Sequence, residues 1–208
     1  MVKLAGPMMS LVASGTLGNI ATFSQWKGRP YCRTRVIPSN PKSGGQVGMR
    51  SMFRFLSQIW ASLTAPNQAT WEERAAAAAI APFNAFMSYN QFRNRNFLGV
   101  TKEHPALESA GTGTMGVLAA VAGVRSITVT QAITVAGNIW AVAFYRSPTG
   151  TFDTAYDNLV RVIPIDGVND VIFVDSPLDP GTYYYDTRFI TDDGLLGAET
   201  GEENAIVV

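Results

Sequence analysis

The stretch LDPGTYYYDTRFIT, from Leu178 to Thr191, decides the fold of the C-terminal half of the chain. Its cluster Asp179-Pro-Gly181 is typical of a tight turn. The residues from Thr182 onward are mostly aromatic or β-branched, which is typical of a strand. The sequence therefore predicts a turn that leads directly into a long strand over Thr182–Thr191.

Further strand-like runs surround this one after Val124. Turn clusters such as Ser147–Gly150, Asp166-Gly167 and Asp192–Gly194 separate them. Short strands at this spacing predict an antiparallel β-sandwich. The other predicted strands are Thr128–Val135, Ile139–Tyr145, Leu159–Ile165, Val171–Val174 and Ala205–Val208.

The same region resembles a fibronectin type III domain over roughly residues 120–208. The matching residues are Leu178-x-Pro-Gly-Thr-x-Tyr184, Arg188-Phe189, Asp193-Gly194 and Tyr145-Arg-Ser-x-x-Gly-x-Phe152. The resemblance implies a fibronectin/Ig-like sandwich in which Tyr184 makes the family's structural tyrosine-corner hydrogen bond. The run that contains Trp140 departs from the family pattern, because Phe144 and Tyr145 follow it so closely.

The N-terminal part predicts a β-hairpin and then helices. The strand-like runs Ile20–Trp26 and Tyr31–Ile37 flank Lys27–Pro30, whose glycine can adopt the positive φ of a turn. Chain breaks over 38–45 precede the first helix. That helix carries an apolar stripe that we interpret as core packing: Met49, Met52, Phe53, Leu56, Trp60 and Leu63.

Two more helices are predicted, one over about 65–80 after the N-cap Thr64, and one that begins at Pro82. Residues 105–124 are rich in Gly, Ala, Ser and Thr, and predict either a linker or an edge strand of the next module. The predicted fold class is α+β. Its modules are an anchoring module over 1–104, the segment 105–124 and the sandwich over 125–208.

The first module is similar to a group of uncharacterised phage and prophage proteins over about residues 14–97. The shared features are Gly15-Thr-Leu-Gly18, Phe23, Arg33-x-Arg35, Asn40-Pro41, an aromatic helix from Phe53 to Trp60, Leu63-Thr64, Gln68, Trp71 and Phe86–Asn90. The resemblance implies a virion or virion-assembly setting. It does not imply a biochemical activity.

The zero net charge of the chain conceals a strong separation of charge. Residues 1–104 hold 12 Lys/Arg and three acids, a net charge of +9, and residues 105–208 hold four Lys/Arg and 13 acids, a net charge of −9. Such segregation is expected of modules with different partners. It favours head-to-tail contact between copies in a homo-oligomer or lattice.

Several chemical functions find little support in the sequence. One cysteine, Cys32, and one histidine, His104, supply neither a disulfide framework nor a Cys/His metal cluster. Gly111-x-Gly-x-x-Gly116 has dinucleotide-motif spacing, but no strand precedes it and no acid follows at the required distance. The aspartates fall mostly in predicted turns and not in a calcium-loop pattern. We therefore expect no catalytic residues, metal or cofactor.

Basic and aromatic residues of the hairpin are the candidate interaction residues. They are Trp26, Lys27, Arg29, Tyr31, Arg33 and Arg35, joined by Arg93 and Arg95 near Phe92 and Phe97. Arg, Tyr and Trp are preferred anchors of protein interfaces, and cations with aromatics also suit nucleic acids. Strand alternation places Tyr31, Arg33 and Arg35 on one face.

These observations predict a non-enzymatic bacteriophage virion protein, such as a capsid decoration or cement protein or a neck or tail component. Its partners would be phage capsid or neck/tail proteins, contacted through the N-terminal half. The alternative is a nucleic-acid-binding, packaging-associated protein that uses the same arginines. No run approaches the 18 apolar residues of a membrane span, and the short interrupted start makes a poor secretory signal. We therefore expect synthesis in the host cytoplasm, residence in the virion and no membrane partner.

Overall fold

The computed structural model of the protein describes residues 2–3, 14–18, 20–37, 40 and 42–208. The chain forms two compact units, residues 1–41 and residues 42–208. The predicted break at 38–41 lies mostly outside the described residues, and so does most of the chain before Ser14. Within the described part of the chain, no helix is long and apolar enough to cross a membrane.

The first unit is an antiparallel sheet. Its described strands are β1 (Val2–Lys3), β2 (Gly15–Leu17), β3 (Ala21–Trp26) and β4 (Arg29–Thr34), in the order β1-β4-β3-β2. Strands β3 and β4 form the predicted hairpin. Its turn is only Lys27-Gly28, with φ of 48° and 75°, and two positive φ values give the twist that suits a two-residue hairpin loop.

The second unit begins with helices α1 (Gly44–Trp60), α2 (Ala65–Ala69), α3 (Glu72–Ala78) and α4 (Pro82–Arg95). The helix predicted over about 65–80 is divided at Trp71, whose fully buried indole donates a hydrogen bond to the Lys102 carbonyl at 2.9 Å. Helix α3 ends at Ala79 in the left-handed conformation. Pro82 lies in the first turn of α4, where its missing N–H leaves no bond unmade.

The remaining strands form the predicted antiparallel β-sandwich. They are β5 (Thr114–Gly123), β6 (Ser126–Val135), β7 (Ile139–Ser147), β8 (Leu159–Pro164), β9 (Val171–Asp175), β10 (Gly181–Thr191), β11 (Leu196–Glu199) and β12 (Glu203–Val207). One sheet has the order β5-β6-β9. The other has the order β11-β10-β7-β8, with β12 also paired to β10. The α+β fold class with a C-terminal sandwich is therefore confirmed.

Apolar side chains from both sheets meet in a sandwich core. Ile127 and Val129 of β6 and Phe144 and Tyr185 of the other sheet are all fully buried there. Along β6 these residues alternate with partly exposed ones, as the two-residue period of a strand requires.

Helices cover the other face of the β7–β10 sheet and form a second, helix-side core with it. Strand β7 is consequently buried on both faces. Trp140 lies in the helix-side core, 5.1 Å from Phe55 between ring centroids. The pairing with β10 shifts register between Ile190 and Thr191, which leaves Trp140 as an extra residue. A bulge of this kind re-aims a side chain, and here it affects Trp140.

The predicted modules and the compact units have different boundaries. The sequence placed the helices with the hairpin in 1–104, whereas the structure packs them on the sandwich within residues 42–208. The physical reason is the helix-side core, in which Met52, Leu56 and Phe86 are almost fully buried. Phe53 of the predicted apolar stripe is 54% exposed, and Phe55 takes its place in the core.

The segment predicted as a linker or an edge strand contains the edge strand β5. The residues before it are held to the turn after β10, because the N–H groups of Leu107 and Glu108 donate to the Asp193 carbonyl at 3.1 and 3.2 Å. The second half of the Gly111–Gly116 motif enters β5 and is followed by a strand. A dinucleotide motif requires a helix at that point.

Candidate interaction surface

The register of the N-terminal sheet sorts its side chains onto two faces. Thr22 pairs with Arg33, Ser24 with Tyr31 and Trp26 with Arg29. Directly opposed residues of antiparallel strands lie on the same face. Trp26, Arg29, Tyr31 and Arg33 therefore share one side of the sheet, which we call the basic-aromatic face. The placement of Tyr31 and Arg33 together agrees with strand alternation.

The other side of this sheet is mostly apolar. Phe23 pairs with Cys32 and with Gly15, and Leu17 pairs with Ala21. Cys32 is a free, partly exposed thiol beside Phe23. We call this side the apolar face.

The side chains described between Ser14 and Ile37 of this unit are not buried. Every residue described from Ser14 to Ile37 is partly or fully exposed. The exposed fractions of Trp26 and Ile20 are 69% and 75%. Large apolar side chains normally become buried against something. The N-terminal sheet therefore presents large apolar side chains at its surface.

The remaining hairpin cations have different positions. Lys27 lies in the turn with positive φ, and its side chain is exposed. Arg35 lies just beyond β4, where its backbone N–H donates to the Ile20 carbonyl at 3.1 Å and its guanidinium donates to the Gly18 carbonyl at 3.0 Å. Arg35 therefore fastens the end of β4 to the loop after β2.

Arg93 does not belong to an exposed surface, contrary to the sequence prediction. Its side chain is 6% exposed and forms an ion pair with Glu108 at 2.5 Å. It also donates to the carbonyls of Gly99 and Gly194 at 2.5 and 2.8 Å. Arg93 therefore joins α4 to two loops of the second unit. Arg95, two residues later, is exposed.

A helical pattern in the sequence contains the signal for the buried position of Arg93. Within the helix that begins at Pro82, Arg93 follows Asn90 by three residues and Phe86 by seven. Residues at these spacings lie on the same side of a helix. The structure buries all three on this side.

The tyrosine that hydrogen-bonds back to the turn before β10 is Tyr183. The Tyr183 hydroxyl donates to the Asp179 carbonyl four residues upstream, at 3.1 Å. Tyr185 is fully buried and donates to the Asp175 carboxylate at 2.9 Å. Tyr183 and Tyr185 share a face of β10, so the pattern is displaced by one residue from the one that the resemblance implied for Tyr184.

The position of Asp175 in a strand was missed by the sequence pattern, which assigned most of the aspartates to turns. Asp175 is not a turn residue but ends β9, where it accepts hydrogen bonds from Tyr185 and from Arg146, the latter at 2.7 Å. Burial and the neighbouring carboxylate raise the pKa of Tyr185, which therefore stays protonated and donates to the carboxylate. This buried triad is structural. In the described part of the chain, no three His, Cys, Asp or Glu side chains are grouped to hold a metal.

An open acidic cleft of about 610 Å³ lies beside β10 and β11. Its acids are Asp153, Asp186, Glu199 and Glu202. Burial raises the pKa of Asp186, although the Thr187 backbone N–H donates to its carboxylate at 2.6 Å and opposes the shift. Asp153, Asp186 and the pair Glu199 and Glu202 come from three distant parts of the sequence, so their grouping could not be seen there.

His104 is packed among aromatic rings and is not a simple surface histidine. Its ring lies 5.3 Å from that of Trp71 and 5.0 Å from that of Tyr89, centroid to centroid. Burial lowers its pKa, and the nearby Arg74 guanidinium lowers it further. Its backbone N–H donates to the Thr70 hydroxyl at 3.0 Å. These contacts attach the segment after α4 to the junction between α2 and α3 and to α4 itself.

Comparison with known proteins gives only distant structural similarity. No protein-family model and no curated protein matches the chain. Wild-type OgpA from Akkermansia muciniphila is similar at a TM-score of 0.35 and 15% identity, over 48% of this chain and 29% of that chain. Catalytically inactive OgpA, solved in complex with an O-glycopeptide substrate (glycodrosocin), is similar at 0.33 and 14%, over 51% and 31%. The chain thus spans less than a third of those proteins.

Proposed function

We propose that the protein is a non-enzymatic structural or assembly component of a bacteriophage virion, which docks on a protein lattice through its N-terminal sheet. The lattice would be formed by capsid, neck or tail subunits. The chain would be made in the host cytoplasm and reside in the particle. The similarity of residues 14–97 to phage and prophage proteins motivates the virion setting.

The observation that carries this proposal is the exposure of the whole described N-terminal sheet. Ordering a residue costs about 1–2 kcal/mol of conformational entropy, which burial normally offsets. Trp26 and Ile20 are both more than two-thirds exposed, and no residue described from Ser14 to Ile37 is buried. Covering these side chains with a partner supplies the missing burial.

Charge supports the basic-aromatic face as the side that selects the partner. Residues 1–41 contain five Lys/Arg and no acid, whereas residues 42–208 contain 11 Lys/Arg and 16 acids. The first unit therefore carries +5 and the second −5. A purely basic unit favours an acidic partner surface and fast, salt-sensitive association.

A nucleic-acid partner is the second candidate, because Arg29 and Arg33 flank Tyr31 on one face. Cations beside an aromatic ring suit phosphate contact and base stacking. The apolar face and the exposed Leu17, Ile20 and Ile37 favour protein instead. A nucleic acid on one face would leave those apolar side chains in water.

Particle composition tests the setting directly. Virions purified by density gradient from cells that express the chain should contain it in a fixed ratio to the major capsid protein, measured by quantitative mass spectrometry. A chain that is abundant in the lysate and missing from purified particles would overturn the virion proposal.

Variants test the docking face. Arg33→Glu combined with Tyr31→Ala should reduce incorporation into particles at least tenfold when the variant is supplied in place of the wild-type chain. Arg54→Glu is the matched control, because it reverses an exposed cation of helix α1 that is not among the candidate interaction residues, and it should leave incorporation unchanged. Equal incorporation of both variants would contradict docking through the basic-aromatic face.

A labelled DNA duplex distinguishes the two partner classes. Protein docking predicts weak binding of the duplex at physiological salt in a fluorescence-anisotropy titration. The nucleic-acid alternative predicts tight binding that weakens steeply with added salt and is lost in an Arg33→Ala and Arg35→Ala variant.

A further inference from the structure

The edges of the sandwich differ in how they are protected against pairing with another strand. An open edge normally carries a bulge, a charge, a proline or a covering element. Strand β5 has register shifts near Met115. Strand β8 contains Arg161 and Pro164 and lies against α1. Strands β11 and β12 carry Glu199 and Glu203 and are interrupted between them.

Strand β9 has none of these devices over Val171–Val174. Its sequence there is Val-Ile-Phe-Val, without charge or proline, and its pairing with β6 is regular from Val171 to Asp175. It is the outer strand of the β5-β6-β9 sheet. Alternate residues of such a strand direct their N–H and C=O groups away from the sheet, where they are available to another strand.

The outer face of the same sheet is uncharged. Val117 and Val121 of β5 are 77% and 65% exposed, and Ile172 and Val174 of β9 are 59% and 56% exposed. The outward residues of β6 between them include Thr128 and Thr130, which pair with Val174 and Ile172. An uncharged face of exposed β-branched side chains next to a bare edge is typical of a surface that associates.

Space for an incoming strand exists beside β9. A groove of about 450 Å³ lies between β9 and β8, and its walls include Arg161 of β8 as well as Phe173 and Val174 of β9. Neighbouring strands lie about 4.8 Å apart in a sheet. A strand could therefore pair with β9 at this groove.

We propose that β9 pairs with β9 of a second copy of the chain, antiparallel and about a two-fold axis at Phe173. The two three-stranded sheets then become one six-stranded sheet with a continuous uncharged outer face. This contact uses the second unit and does not depend on the proposed virion function.

Self-complementarity supports a second copy as the occupant. Pairing about Phe173 sets Ile172 opposite Val174 and Val171 opposite Asp175, while Asp170 faces Ser176. No two like charges oppose each other, and β-branched side chains meet across the new pair, which stabilises antiparallel strands. The Asp175 carboxylate stays on the inner face with Arg146 and Tyr185. A two-fold contact of this type closes at a dimer.

Sedimentation velocity of the purified full chain tests the proposal. The wild-type chain should show a monomer–dimer equilibrium in the micromolar range, because a single strand pair makes a small interface. Val174→Lys places a charge on the exposed face of the edge strand and should weaken dimerisation at least tenfold. Val168→Lys, at a residue 61% exposed in the loop before β9, is the matched control and should change nothing.

Hydrogen exchange locates the contact. Peptides that cover Val171–Asp175 should become more protected as the protein concentration rises, and this gain should disappear in Val174→Lys. Circular dichroism and the Tm of each variant establish that it folds. A wild-type chain that stays monomeric across the micromolar range would overturn the proposal, and so would a dimer that resists Val174→Lys without protection of β9.

The outcome is independent of the virion test. A monomeric chain that is present in particles would reject only the β9 contact. A β9 dimer that is missing from particles would reject only the virion function.

Discussion

Replacement of Arg93 by alanine should destabilise the second unit severely. The guanidinium is almost fully buried and donates to the carbonyls of Gly99 and Gly194 while it pairs with Glu108. These contacts join the C-terminal end of α4 to the loop after it and to the turn between β10 and β11. Arg93→Ala therefore removes one side chain that holds three segments together.

The size of the loss in unfolding free energy follows from the polar groups that Arg93→Ala leaves without a hydrogen-bond donor. The carbonyls of Gly99 and Gly194 belong to buried residues, and each buried acceptor left without a donor costs about 1–3 kcal/mol. The Glu108 side chain is 43% exposed, so its lost ion pair adds less than about 1 kcal/mol. The expected loss is about 3–5 kcal/mol, of the size measured when one member of a buried pair is removed.

Urea unfolding followed by circular dichroism measures this loss, with Arg95→Ala as the matched control. Arg95 is exposed two residues away, and its replacement should change the free energy of unfolding by less than about 0.5 kcal/mol. Arg93→Lys should fall between the two, because an ammonium group cannot reproduce the fork of a guanidinium. A loss below about 1 kcal/mol in Arg93→Ala, or an equal loss in Arg95→Ala, would refute the structural role.

Two further substitutions test the fold and its electrostatics. Gly48→Ala should lower the free energy of unfolding by about 1–3 kcal/mol, because the added Cβ would overlap the Tyr156 carbonyl. Gly45→Ala in the same helix is the control and should be neutral or slightly stabilising. Equal Tm values for the two variants would contradict the close approach at Gly48. Asp186→Asn should stabilise the protein increasingly as pH rises from about 3 to about 7, because the raised pKa of Asp186 means that folding disfavours its ionised form. A difference in Tm that does not change with pH would count against the buried carboxylate.

The sandwich was predictable because its sequence signals are local. Turn clusters and runs of β-branched or aromatic residues identified the strands, and both depend on residues close in sequence. The long apolar run Ile139–Tyr145 also contained a less obvious signal. A continuous run is typical of a strand buried on both faces, and β7 is such a strand. The run alone could not show that the helices bury the second face of β7.

The candidate surface was predictable only in part. Alternation along one strand shows which of its side chains share a face, but it does not show what packs against that face. Alternation placed Tyr31 and Arg33 on one face of the hairpin, and the register of β3 and β4 gives the same placement. The position of Arg93 depended on contacts with Gly194, which lies 101 residues away, and no short-range pattern contains that information. The charge division after His104 suggested a boundary there, but burial of α1 and α4 on the sheet decides which residues fold together.

The two proposed contacts would serve different purposes in an assembly. A β9 pair is symmetric and closes at two copies, so it cannot extend a lattice by itself. The N-terminal sheet is a separate surface, and each dimer would carry two of them. Two linked docking units bind a repeating lattice more strongly than either alone, because the second attachment is intramolecular. Weak pairing at β9 would therefore be sufficient to strengthen attachment through the basic-aromatic face, provided that both units reach neighbouring sites.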